Sequence, residues 1–156
     1  MRRTSLHTLR TASDVETERF GAALGERIRR GLVVCLGGPL GAGKTVLVRG
    51  LCRGLGVSGD IVSPTFILME MLSGRMEIAH IDLYRLEHER ELEDIGVFDL
   101  VDDAAVVVLA EWGERSPALI AAADVEIRIE PDGNDARVIS IAATAQAAAD
   151  LGGRAW

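Results

Sequence analysis

The sequence predicts an α/β domain: a mainly parallel central sheet with added antiparallel strands and helices on both faces. Three observations carry this. Leu32–Leu36 and Val106–Leu109 are continuous apolar runs rich in β-branched residues, as expected of parallel strands buried on both sides. A glycine-rich loop, Gly38 to Thr45, joins the first run to a segment of helical periodicity. Farther on, Val125–Ile129 and Arg137–Ile141 alternate and flank the turn signal Pro131-Asp132-Gly133-Asn134, so they read as a hairpin or as adjacent strands. At 156 residues, with no internal repeat and no linker, the chain reads as one domain, 1–156.

Each element has its own reason. Residues 1–10 are polar and basic, an edge strand or a frayed end. Ser13-Asp14-Val15-Glu16 has the S-x-x-E form of a capping box, and Phe20, Leu24 and Ile28 continue a helix to about Arg30, where Gly31 ends it. After the glycine loop, Leu47, Leu51 and Leu55 define a second helix, closed by Gly54, Gly56 and Gly59. Ile67–Met71 and Met76–Ile81 flank the turn Ser73-Gly74-Arg75 and form a second hairpin. The charge run 87–94 is a solvated helix face, with Leu86, Leu92 and Ile95 on its buried side. Pro117–Ala122 is a short helix, and the alanine-rich stretch Ala142–Leu151 is helical, with 143–156 peripheral or frayed.

Composition narrows the class. Hydrophobic residues make up 48% and charged residues 26%, the balance of a soluble globular domain. The net charge of −7 argues against nonspecific nucleic-acid binding, which needs clustered Lys and Arg. Cys35 and Cys52 lack metal-ligand spacing and read as core residues in a reducing compartment. Polar residues follow Met1-Arg2-Arg3, and no apolar run is long enough to span a bilayer, so the expectation is cytoplasmic, with no membrane partner.

The chemistry centres on Gly38-Pro39-Leu40-Gly41-Ala42-Gly43-Lys44-Thr45, a G-x-x-x-x-G-K-T loop between strand and helix. Glycines let successive N–H groups turn toward one anion, and the helix start adds its unpaired N–H groups and dipole. Lys44 can reach outer phosphates, and the Thr45 hydroxyl can ligate Mg²⁺. The domain is thus P-loop NTPase-like. Its ATP contacts are expected from Gly38, Leu40, Gly41, Ala42, Gly43, Lys44, Thr45 and Val46, with Trp112 against the nucleotide or merely packed at an edge. A second acid is needed near the metal. Asp82 and Glu111 each follow a strand, so one would hold Mg²⁺ and the other position the attacking water. Thr65 is either a γ-phosphate sensor or a turn residue. His80 reads as structural and His88 as solvated. No Asn-Lys-x-Asp motif marks a GTPase, and no lid-like insertion marks a small-molecule kinase.

Taken together, G-x-L-G-A-G-K-T at 38–45, S-P-T-F at 63–66, H-x-D-L-Y-R at 80–85, E-L-E-D-I-G at 91–96 and E-W at 111–112 closely resemble the bacterial TsaE (YjeE) family. The resemblance covers about residues 13 to 130. It implies a small P-loop ATPase needed to make N6-threonylcarbamoyladenosine in tRNAs that read codons beginning with A. ATP and Mg²⁺ would be its cofactors, with Thr45 and Glu111 on the metal, and Lys44, Asp82 and Glu111 catalytic. Ser63, Pro64, Thr65 and Phe66 would form a switch-like loop, Trp112 would lie near the nucleotide, and Ser13 to Glu16 near the adenine. The resemblance also implies a helper role: the TsaD and TsaB proteins are the partners, tRNA is met only through that complex, and hydrolysis is slow without it. Two departures from the family pattern, Pro39 for an acidic residue and Val46 for a second Thr, bear on affinity and turnover. A small metabolite kinase, or a nucleotide-dependent interaction switch with negligible turnover, are the rival readings.

Overall fold

A computed structural model describes residues 2–62 and 68–153. Its elements in chain order are β1 (Thr4–Thr11), α1 (Asp14–Gly25), β2 (Val33–Gly37), α2 (Lys44–Gly54), β3 (Met69–Ser73), β4 (Glu77–Asp82), α3 (Arg90–Asp94), α4 (Val97–Val101), β5 (Val106–Glu111), α5 (Pro117–Ala122), β6 (Val125–Pro131), β7 (Arg137–Ala143) and α6 (Ala145–Asp150). Among the described residues the strands form one seven-stranded sheet in the order β1-β7-β6-β2-β5-β4-β3. The four central strands, β6, β2, β5 and β4, are parallel. Antiparallel β3 extends one edge, and β7 and then β1 extend the other. The expected mainly parallel sheet with antiparallel additions is therefore the observed one.

Every residue of β5 is buried, as a central parallel strand requires. Alternate residues serve opposite faces. Val34, Leu36, Val107, Leu109 and Ile127 pack with Leu24, Leu47 and Leu51 of α1 and α2. Val33, Cys35, Val108 and Ala110 pack on the other side with Leu92, Val97 and Leu119 of α3, α4 and α5. The result is three layers, with helices covering both faces of the sheet. Both cysteines are buried and free, and desolvation pushes each thiol up to about 12. They are inert core residues.

Three expectations about element limits change. The first helix stops at Gly25 rather than near Arg30. Its N-terminus is as expected: Ser13 Oγ accepts from Glu16 N at 3.2 Å, while the Glu16 carboxylate accepts from Ala12 N at 2.6 Å. At its other end the Gly25 and Ile28 carbonyls accept from the Arg75 guanidinium at 3.0 and 3.2 Å, and the N–H groups of Arg27 and Ile28 tighten into i→i−3 bonds. Ile28 remains buried. Of the two readings for residues 1–10, the edge strand is the observed one, Thr4–Thr11, while 143–151, expected to be peripheral or frayed, are built in. β1 pairs along β7, Ala142 and Ala143 belong to β7, and Ala147 and Leu151 enter the core. Ile95, expected inside, is 39% exposed, because α3 ends at Asp94 and Gly96 turns the chain into α4 with φ +79°. Leu86 and Leu92 are buried as expected.

Candidate functional site

Parallel strands deliver their ligands at their C-terminal edge, and here three strand ends come level. Glu111 pairs in register with Leu36 of β2 and with Asp82 of β4. The loop leaving β2 rises beside these acids and re-enters the fold as α2. Gly38, Gly41 and Gly43 have φ of +139°, +77° and +106°, which an L side chain rarely adopts. At Gly43 there is a second demand, because a Cβ would fall on the Arg137 guanidinium. Together these elements enclose an open cleft of about 390 Å³.

Of the residues expected to contact ATP or the metal, Leu40, Gly41, Gly43, Lys44, Thr45, Val46, Asp82, Glu111 and Trp112 border this cleft. Gly38 and Ala42 do not. Gly38 faces a neighbouring cavity of about 500 Å³ shared with Pro39 and Trp112. Ala42 is buried in the core, and its N–H is turned inward to Pro39 O at 3.1 Å. Ser63 to Phe66 lie outside the described residues. Two residues absent from the expected contacts also border the cleft, Tyr84 and Arg137.

The Thr45 hydroxyl donates to Glu111 Oε1 at 2.7 Å. Glu111 Oε2 lies 2.6 Å from Nε2 of His80, whose ring is fully buried. Asp82 Oδ1 accepts from Tyr84 N at 2.9 Å. The Lys44 ammonium donates to Gly38 O at 2.6 Å and Pro39 O at 2.9 Å, and sits 4.0 Å from the centre of the Trp112 ring. Burial pulls its pKa below the ordinary lysine value, opposed by Glu114, Glu111 and Asp82. This end of the cleft therefore presents one cation, one hydroxyl and two carboxylates within the first turn of a helix and two strand ends.

Trp112 is placed by backbone geometry. It has φ +58° and ψ +36°, a left-handed conformation that costs a non-glycine residue about 1–2 kcal/mol. The 3₁₀ turn Gly113–Arg115 that follows is pinned on β2, since a Cβ at Gly113 would lie 2.6 Å from Cys35 Cβ. The indole thus leans toward the loop, beside Tyr84 at 5.2 Å between ring centres, with Arg115 stacked 5.5 Å from both rings. Trp112 borders both cavities and so stands between them.

Arg137 had no signal in the sequence beyond opening an alternating strand. In the fold it is 9% exposed and crosses to α1, bonding the Asp14 carboxylate and, at 3.1 Å, Thr17 Oγ1. A buried arginine needs such partners. The link brings the start of α1 to the side of the cleft next to Gly43. Ser13 to Glu16, at the start of that helix, therefore lie on the same side of the molecule as the glycine loop.

A parallel sheet with a G-x-x-x-x-G-K-T loop opening a helix, and an acid from the adjacent strand bonded to the loop threonine, defines a P-loop NTPase domain. Within that class the chain belongs to the TsaE family: the model of the threonylcarbamoyl adenosine biosynthesis protein TsaE matches residues 11–139. The chain is 40% identical over 135 residues to the TsaE protein of Treponema pallidum, covering 85% of this chain and 96% of that protein. It is 37% identical over 132 residues to the TsaE protein of Haemophilus influenzae, covering 80% and 82%. The crystal structure of Bacillus subtilis YdiB superposes with a TM-score of 0.74 at 26% identity, covering 97% of this chain and 93% of that one. The relatives are described as tRNA threonylcarbamoyladenosine biosynthesis proteins. Among the described residues no helix is long and apolar enough to cross a membrane.

Proposed function

We propose that this chain is the ATPase component of tRNA threonylcarbamoyladenosine synthesis, binding ATP with Mg²⁺ and hydrolysing it in association with the TsaD–TsaB pair in the cytoplasm. The observation that supports this best is the 2.7 Å bond between Thr45 and Glu111 beside register-paired Asp82. It joins the hydroxyl that opens α2 to an acid at the adjacent strand end, an all-oxygen set of the kind Mg²⁺ prefers. With only two acids and a hydroxyl, the set suits an ion that keeps waters and takes phosphate oxygens rather than one caged by protein.

Thr45 and Glu111 would hold Mg²⁺, which when bound neutralises charge on the phosphates. Lys44 is buried, so moving its side-chain nitrogen from Gly38 O and Pro39 O to phosphate oxygens would place a donor where negative charge develops. Asp82 stands level with Glu111 and would orient the attacking water. Trp112 closes one wall and limits access of bulk water. Val46 lines the cleft without supplying a second hydroxyl, and Pro39 contributes its carbonyl rather than an N–H.

The test is ATP hydrolysis with and without the TsaD–TsaB pair. Stimulation by the pair is expected, and Lys44→Ala and Glu111→Ala should each reduce stimulated turnover about 10²-fold or more. Turnover that needs a metabolite and no protein partner would favour a kinase. ATP-dependent binding to the pair without turnover would favour an interaction switch.

A further inference from the structure

We infer that His80 is a positioning residue for Glu111, holding that carboxylate in the orientation from which it and Thr45 present oxygens to a divalent cation. The inference rests on the proposed ATP and Mg²⁺ reading and adds a residue to it.

The geometry is specific. β4 places His80 two residues before Asp82, so both side chains leave the same face of the strand. The two Glu111 oxygens are taken by donors from different elements: Oε1 by the Thr45 hydroxyl at the start of α2, and Oε2 by His80 Nε2 within β4. A carboxylate oxygen accepts, so Nε2 carries the proton, and the carboxyl plane is fixed from both sides.

The other ring nitrogen supplies the second argument. His80 Nδ1 is buried and has no hydrogen-bond partner. The neighbouring inward position on the same face of β4 holds Ile78, and an apolar side chain at 80 would avoid burying an unpaired polar atom. A histidine that costs stability on one side and meets an acid at 2.6 Å on the other is placed for the acid. It also leaves Glu111 little freedom to swing toward Lys44, which would neutralise the charge needed on phosphate.

Binding of ADP by calorimetry at increasing Mg²⁺ tests this without turnover. His80→Ala should leave Mg²⁺-free ADP affinity within about twofold and raise the Mg²⁺ concentration needed for tight binding about 10-fold or more. His80→Gln, with an N–H donor in place of the imidazole's, should recover most of that loss, which a mere gap in packing would not. If the parent shows Mg²⁺-dependent ADP binding and His80→Ala matches it, the inference is overturned while the proposed function stands. If the parent shows no Mg²⁺-dependent binding, the proposed function fails and the inference with it. Should His80→Ala not fold, the parent decides: the His80 Nε2–H NMR signal should move when Mg²⁺ is added to the ADP complex, and an unmoved signal overturns the inference.

Discussion

The helix that follows the phosphate loop is held at its two ends by opposite means. At its C-terminal end, α2 lies against α1 with almost no side chain between them. Gly21 faces Gly50 and Gly25 faces Gly54, and a Cβ on any of the four would strike backbone of the other helix. The Arg75 guanidinium then donates to the carbonyls of Gly25, Ile28 and Gly54, closing both helix ends with one side chain. At its N-terminal end the same helix opens into a cleft where Gly41 has nothing within 4 Å of a Cβ. At Gly41 glycine is required by backbone angle alone. A helix anchored by backbone contact at one end can hold its other end in place beneath an open loop.

Two alanine substitutions would break this comparison if it is wrong. Gly54→Ala forces a methyl onto the Ala22 carbonyl, with Glu26 N and Gly25 Cα also closer than 3 Å, and no flexible side chain can yield. It should cost roughly 3 kcal/mol or more of stability, by urea denaturation, at the upper end of overpacking losses. Gly41→Ala meets no neighbour and pays only for φ +77°, about 1–2 kcal/mol. Its larger effect should fall on ADP affinity. Equal stability losses at the two glycines would remove the distinction between the ends.

Arg75 sharpens it. Arg75→Ala removes a donor from each of three partly buried carbonyls, of which Gly25 O keeps the Ile28 N–H, and should cost about 2 kcal/mol. Arg75→Lys should recover less than half of that, because one ammonium cannot reproduce the spread of a guanidinium fork. Mg²⁺-dependent nucleotide affinity should be unchanged in both. A loss of affinity as large as the loss of stability would show that the far end of α2 does not hold the cleft independently.

The difference between the two ends also explains what the sequence disclosed. The cleft end is built from contiguous residues: a buried strand, a glycine loop and Lys44-Thr45, each with local chemistry that dictates it. Strand ends at Asp82 and Glu111 were legible for the same reason, since apolar runs stop where the acids begin. The anchored end is assembled from glycines about thirty residues apart, whose meaning appears only when α1 and α2 lie side by side. The premature stop of α1 follows from that contact and from Arg75, neither of which periodicity can register. Arg137 was missed, and His80 was read only as structural, on similar grounds. One opens an alternating strand and the other interrupts an apolar one, and only the pairing of each with a distant acid, Asp14 or Glu111, separates it from ordinary strand residues.

The smallest expected effect lies on the opposite face, where the acidic segment meets α5. Glu89 Oε1 accepts from the Ser116 hydroxyl at 2.5 Å and from Ala118 N at 2.9 Å, at the start of the helix that follows Trp112 and its 3₁₀ turn. The Ser116 bond and then the Ala118 bond hold the Glu89 pKa below its usual 4.5. A carboxylate depressed by folding contributes stability that is fully present above its unfolded value and is lost as pH falls through its folded one. The melting temperature of the parent should therefore lose an increment as pH falls below about 4.5 that Glu89→Gln lacks, the variant's amide oxygen accepting equally at every pH. Because Glu89 is only half-buried, the increment is small and should shrink further in high salt. A parent–variant gap that stays constant from neutral pH to well below the carboxylate range would show that Glu89 holds α5 without its charge, leaving the anchoring of this face to Leu92 and Leu119 in the core.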